Sequence, residues 1–207
     1  MKKYQIIYAD PPWNYNSSIR RNTRSKFNHV SEHYDVMNTK DIKNLPINDI
    51  ADKDCLLFMW VTSPLLEEGL EVMKSWGFKF GTIAFCWNKV NPMPGTYTIS
   101  QVEICLVGRK GKIPQPRGLR NIRQFIEEKR TKHSKKPKDV RSRIELMFPK
   151  QEKVELFARE KSQGWDVWGN EVECDIELNS EEEVKTCSTK HDIPPKPKDS
   201  GILSNFT

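Results

Sequence analysis

The sequence predicts an α/β fold in which a mostly parallel sheet carries helices on both faces. Three observations lead there. Residues 4–9 (YQIIYA) and 55–61 (CLLFMWV) are short, almost wholly apolar runs, the pattern of strands buried on both sides. Segments with helical spacing of apolar residues lie between the strand-like runs, and alternation of the two implies parallel pairing. The first run ends abruptly in Asp10, Pro11, Pro12 and Trp13, and ligands in such sheets sit at the carboxyl ends of strands.

Each further element has its own signal. Thr39 can cap a short helix ending near Leu45. Ser63-Pro64 opens the helix after the second strand, with Glu67 and Glu68 at its positive end and Gly77 at its stop. Leu65, Leu66, Leu70, Val72 and Met73 form its apolar stripe, read as core. Residues 78–88 read as a strand, a proline and glycine loop follows, and 102–107 read as another strand. Pro137 begins a helix running to Met147, Pro149 ends it, and residues 153–158 form a further strand. Residues 164–171 (GWDVWGNE) close the ordered body. The expected organisation is one domain over residues 1–177 and a tail over 178–207, where the Glu181–Glu183 run and Pro194, Pro195 and Pro197 leave little to build a core; this tail is expected to be disordered.

Charge narrows the function classes. The chain carries +6, yet residues 172–207 hold 4 Lys/Arg against 8 Asp/Glu, which leaves the rest at +10. A body with that balance suits a polyanion. Its basic residues fall in two runs. Arg20, Arg21, Arg24 and Lys26 lie in the polar stretch from Asn14 to Tyr34, and residues 108–143 hold 14 Lys/Arg against 3 Asp/Glu, Arg130 among them. Both runs are expected to meet phosphates. No apolar run is long enough for a membrane helix, and the five cysteines include no CxxC pair; Cys55, Cys86 and Cys105 sit in apolar runs and are expected to be reduced and buried. The expected setting is therefore intracellular, soluble and cytoplasmic.

The stretch from Asp10 to Trp13 carries the chemistry. An aromatic amine is a poor nucleophile because its lone pair is conjugated with the ring. A catalyst that alkylates it must accept its hydrogens and draw that lone pair out. Asp10 can accept one hydrogen and the Pro11 carbonyl the other, while the fixed φ of the prolines aims the acceptors. Trp13 would stack on the base. The competing reading is a strand end with a proline turn and a core tryptophan. His29-Val-Ser-Glu32-His33 matches the HxxEH pattern of some zinc peptidases, but its polar flanks do not suit a metal-bearing helix, and no metal is expected.

Four stretches then line up in order: ADPPW at 9–13, LLFMWVT at 56–62, VEICLVGRKG at 102–111, and the late pair HSKKP at 133–137 with VELFARE and GWDVWGNE between 154 and 171. Together they resemble the N6-adenine methyltransferase family typified by the catalytic subunit of the messenger-RNA adenosine methyltransferase, the MT-A family, and in size its prokaryotic and phage members. The resemblance covers nearly all of residues 4–171. It implies a Rossmann-like methyltransferase using S-adenosylmethionine, with a permuted order in which the DPPW strand precedes the cofactor strand. Carried over residue by residue, Asp10, Pro11, Pro12 and Trp13 are the catalytic motif. Lys136 meets the cofactor carboxylate, and Phe157, Arg159, Asn170 and Glu171 surround its adenosine half, with Asp10 also beside the cofactor. Tyr34, Trp60 and Glu103 border the acceptor base.

The chain departs from the family in having nine residues before Asp10 and Glu171 where long members have Gln; it also lacks a GxGxxG phosphate loop. The leading expectation is N6 methylation of adenine in DNA. RNA is the alternative substrate, cytosine-N4 presents the same amino chemistry, and a catalytically silent nucleic-acid-binding partner is the alternative class. A homo- or heterodimer is compatible with each.

Overall fold

The structure, a computed structural model, describes residues 2–14, 37–95, 97–130 and 135–178. Its centre is a seven-stranded sheet built from β1 (Tyr4–Ala9), β2 (Ala51–Val61), β3 (Lys79–Met93), β4 (Ser100–Lys110), β5 (Phe125–Glu127), β6 (Lys153–Leu156) and β7 (Asp166–Trp168), in the order β5-β3-β4-β2-β1-β6-β7. β1 pairs in parallel with β2 on one side and β6 on the other. β7 is parallel to β6 and β5 to β3, so β4, antiparallel to both β2 and β3, alone runs against the rest. This is the predicted mostly parallel α/β sheet of Rossmann-like type.

The apolar character of β1 follows from its place between two parallel neighbours with both faces covered. Tyr4, Ile7 and Ala9 face a layer made by α1 (Thr39–Asn44), α2 (Ile47–Ile50) and α3 (Leu66–Ser75). Ile6 and Tyr8 face α4 (Asp139–Met147) and Trp165 on the other side. Tyr4 and Ile7 can share a face because the register slips between Tyr4 and Ile6, where the Gln5 and Ile6 amides both donate to the Glu152 carbonyl at 3.1 Å.

Several expectations are corrected. The N-cap of α1 is Asn38, one residue before Thr39, and no side chain caps the helix. Ser63 to Leu65 form a 3-10 turn ahead of α3, and Leu66 and Leu70 are 37% and 36% exposed, so only Val72 and Met73 of the stripe are fully core. α3 does stop at Gly77, whose φ of +83° suits glycine. α4 starts at Asp139, two residues after Pro137, and β6 ends at Leu156 rather than Ala158. The basic run contains a strand, β5, and the segment at 164–171 contains β7. Cys55 and Cys105 are buried free thiols, while Cys86 is half-buried. No helix among the described residues is long and apolar enough to cross a membrane. Tyr34, Arg20, Arg21, Arg24, Lys26, the HxxEH stretch and the tail from residue 179 lie outside the described residues.

Candidate active site

From β1 the chain reaches β2 on one side; from β6 it reaches β7 on the other. The carboxyl ends of β1 and β6 therefore flank a topological switch point, where a crevice forms. Asp10 follows β1 there, and Phe157 to Glu160 follow β6. The cleft between them is lined by Tyr8, Asp10, Lys135, Lys136, Pro137, Arg141, Glu155, Phe157, Arg159 and Glu160. A much larger cavity, about 520 Å³, lies under Phe58, Phe80 and Phe148 near the opposite ends of the strands. It is apolar and holds none of the site residues predicted from sequence.

Asp10, half-buried, ends a chain of charges whose other members lie deeper. Lys136, three residues before α4, reaches both its carboxylate oxygens, at 2.8 and 2.9 Å. The same ammonium lies 3.3 Å from Glu103 of β4 and 5.7 Å from the centre of the Trp60 ring. Glu103 takes a second cation, Lys89 of β3, at 3.1 Å. Two cations and two carboxylates thus alternate in one line, which is how charge becomes tolerable away from water. Burial pushes the Asp10 carboxyl above its ordinary value, and Lys136 only partly offsets this. Burial also acts against the Glu103 carboxylate, but Lys136 and Lys89 outweigh it and hold Glu103 below the usual range. For Lys136 the burial cost is outweighed by Asp10 and Glu103, and its pKa is raised.

A second network lies beside the first. Arg141 of α4 donates to Glu155 of β6 at 2.8 Å, to Glu160 at 2.9 Å and to the Ser162 hydroxyl at 2.5 Å. Lys135 also binds Glu160, at 2.7 Å. Burial lifts Glu155 to about 7 despite Arg141, whereas hydrogen bonding from Lys135 holds the more exposed Glu160 near about 2.

The remaining predicted residues take defined places. The Pro11 carbonyl, expected to be open, accepts the Trp13 amide at 2.8 Å, and the Pro12 carbonyl accepts Met37 at 3.0 Å. Each oxygen keeps a second lone pair. Trp13, expected to offer a stacking surface, is packed into the core at 6% exposure with its ring nitrogen donating to the Trp60 carbonyl at 3.0 Å. Trp60 is also core; its indole donates to the Tyr8 hydroxyl at 2.7 Å and its ring underlies Lys136. Phe157 has a φ of +61°, rare for a residue with a side chain, and meets Trp168 edge to face at 5.3 Å. Arg159 pairs with Glu171 at 3.7 Å, and Asn170 is exposed beside them. Arg130 is exposed, and its amide donates to the Lys89 carbonyl at 3.4 Å. The basic run is not uniformly available for phosphate: Lys135, Lys136, Arg141 and Arg143 are held by carboxylates of the fold.

Lys89, Arg141, Glu155 and Glu160 were not singled out from sequence. The available signal was a lone acid in the apolar strand run VELF and a lysine closing the aromatic run FCWNK. Among the described residues no cluster of His, Cys, Asp or Glu could hold a metal.

A switch-point cleft with a half-buried carboxylate on a DPPW turn defines the class of the protein, a Rossmann-like methyltransferase. Residues 4–171 match the model of the MT-A70 family, and the chain belongs to that family. It is 42% identical over 196 residues to the type II methyltransferase M.MunI of Mycoplasma sp, covering 88% of this chain and 84% of that protein. It is 29% identical to the Arabidopsis thaliana protein named N(6)-adenosine-methyltransferase MT-A70-like, and 29% identical to the human N(6)-adenosine-methyltransferase catalytic subunit METTL3. The matches cover 82% and 83% of this chain but only 24% and 28% of those longer proteins.

Methyltransferases of this family use S-adenosylmethionine, and the donor set fits its charges. A buried ammonium suits a carboxylate, neighbouring acids suit an ammonium, and an aromatic ring with polar neighbours suits a nucleoside. The cleft is small, about 40 Å³, and the Asn170 and Glu171 side of the site is open to solvent.

Proposed function

We propose that this domain methylates the N6 amino group of adenine in DNA. The observation that supports it most is the half-buried Asp10 carboxylate at the switch point, carried on a Pro-Pro turn in a chain similar to a type II methyltransferase. Bound S-adenosylmethionine supplies an electrophilic methyl group. Asp10 accepts one hydrogen of the amino group, and the free lone pair of the Pro11 carbonyl accepts the other. These bonds shift the nitrogen lone pair away from the ring and towards the methyl carbon. The N–C bond would form as the sulfur–methyl bond breaks, its electron pair staying on sulfur in the departing thioether, and the resulting positive nitrogen would lose a proton to Asp10 and thence to water. The raised pKa of Asp10 makes it the better acceptor for that proton.

On this reading Lys136 binds the cofactor carboxylate, with Phe157, Arg159, Asn170 and Glu171 at the nucleoside half. Trp60 and Glu103 form the floor beneath the reacting groups. Tyr34, Arg20, Arg21, Arg24, Lys26 and Arg130 meet the nucleic acid, and the base lies against the outer edge of the Pro-Pro turn rather than the buried Trp13 ring. RNA is the second reading, supported by the similarity to N(6)-adenosine-methyltransferases. The test is incubation with labelled S-adenosylmethionine and matched duplex DNA, single-stranded DNA and RNA, followed by nucleoside analysis. N6-methyldeoxyadenosine is the expected product. N6-methyladenosine from RNA alone would replace DNA as the substrate, N4-methyldeoxycytidine would overturn the choice of base, and no transfer would favour a silent partner.

A further inference from the structure

We propose that Lys89 is a positioning residue of the methyl-transfer site: it anchors Glu103, and through Glu103 fixes Lys136 beside Asp10. The inference rests on the role given to Asp10 above and adds a residue to that site.

Trp87 of β3 lies directly opposite Glu103 of β4. Lys89, two residues on, is the diagonal neighbour on the same face, within reach for a long side chain. That face also carries Tyr8 of β1, Trp60 of β2, Cys105 of β4 and Glu155 of β6. The lysine is 7% exposed and its contact with Glu103, at 3.1 Å, is equally buried. A buried lysine placed only for stability would be an expensive choice, since an apolar side chain of similar length avoids the desolvation cost. The local backbone is also unusual. Val90 has a φ of +61°, an outlier for a β-branched residue, and its amide is held by the Asn88 side chain at 3.1 Å. The strand is thus bent immediately beside Lys89.

The consequence concerns Lys136. Its ammonium is shared between Asp10 and Glu103, and a cofactor carboxylate would add a third claim. With Lys89 in place Glu103 is already half neutralised, so Lys136 remains available to Asp10. Without Lys89 the cluster carries a net negative charge, Glu103 pulls harder on Lys136, and Asp10 gains protons more readily. The charged and titratable groups around Asp10 are Lys136, Glu103 and Arg159, with Tyr8, Cys105 and Glu155 also close; Lys89 meets Glu103, and Glu103 shares Lys136 with Asp10, so the path of contacts from Lys89 to Asp10 runs through Glu103.

The test is the titration of Asp10 in the whole chain, followed by carboxyl-carbon NMR with the resonance assigned from the spectrum of Asp10→Asn. Lys89→Met should raise the Asp10 midpoint by about one pH unit. On a Glu103→Gln background the same substitution should move it by much less, because the relay is already cut. An unmoved midpoint in Lys89→Met, or an equal movement on both backgrounds, would overturn the proposal. If Lys89→Met alone does not fold, Lys89→Gln, which removes the charge but still donates a hydrogen bond to Glu103, replaces it on both backgrounds and the same two outcomes decide. Methyl transfer by the unaltered chain is scored separately. A wild type inert on every nucleic acid would strike the functional reading, whereas an Asp10 indifferent to Lys89 strikes this one.

Discussion

Replacing Lys136 with Met is the most informative single perturbation of the charged chain at the site. The ammonium is 12% exposed and serves Asp10 and Glu103, whose side chains are 24% and 7% exposed. Removing one partner of a buried pair costs roughly 3 to 5 kcal/mol, because the other charge is stranded. The lower figure applies here, since Asp10 reaches water and Glu103 keeps Lys89. For a domain of this size about 3 kcal/mol lowers Tm by roughly 6 to 12 °C. The deficit must depend on pH. Without Lys136 the folded-state pKa values of Asp10 and Glu103 rise above their unfolded values, so the folded state binds protons more tightly. Stability is then lost as pH rises from about 4 through the raised values, and the deficit shrinks in acid. Thermal melts of both proteins from pH 4.5 to 8 provide the assay. A Tm deficit that is absent at pH 8, or the same at both ends of the range, would refute the account of Lys136 as the cation that holds these carboxylates.

Four other variants test separate parts of the protein. A Cβ at Gly169 would lie 2.1 Å from the Ala158 carbonyl oxygen, so Gly169→Ala should cost about 3 kcal/mol or more in a denaturant melt, whereas Gly164→Ala, in open space at φ +79°, should cost only about 1 to 2 kcal/mol of backbone strain. Glu155, lifted to about 7 from 4.5 by burial, loses stability to the fold as pH rises through that window; Glu155→Gln should therefore show a flatter Tm between pH 5 and 8 than the wild type, and identical slopes would contradict the burial of this acid. Neutralising Arg20, Arg21, Arg24 and Lys26 together should weaken unrelated sequences equally and reduce the slope of log affinity against log salt by about 0.9 per lost contact on duplex DNA and about 0.7 on single strands; an unchanged slope would remove these residues from the nucleic-acid interface.

The sequence was most legible where local pattern and burial agree. An apolar run stopped by two prolines can only be a buried strand ending at a turn, and that located both β1 and Asp10. β5 and β7 were harder because each has three residues, and Ile126 is the single buried residue of β5 within a strongly basic run. The antiparallel course of β4 depends on the β3 hairpin, which periodicity does not report. Trp13 shows another limit: a tryptophan after a proline turn reads as a flat surface for a base, yet its nitrogen finds the Trp60 carbonyl 47 residues away and the ring goes into the core. Lys89 and Glu155 were missed for a related reason. A charged residue in a strand reads as a solvent-facing position, and only the partners Glu103 on β4 and Arg141 on α4 make their burial tolerable.

The proposed methyl transfer depends on Asp10 as the acceptor of an amino hydrogen. The direct measurement is single-turnover methyl transfer by Asp10→Asn, nearly isosteric but unable to take the proton, alongside calorimetry with S-adenosylhomocysteine. Transfer should fall by about 100- to 1,000-fold, with the cofactor product still bound and the fold intact by thermal melting. A variant that transfers methyl groups at close to the wild-type rate would contradict the assignment of Asp10 and with it the proposed mechanism.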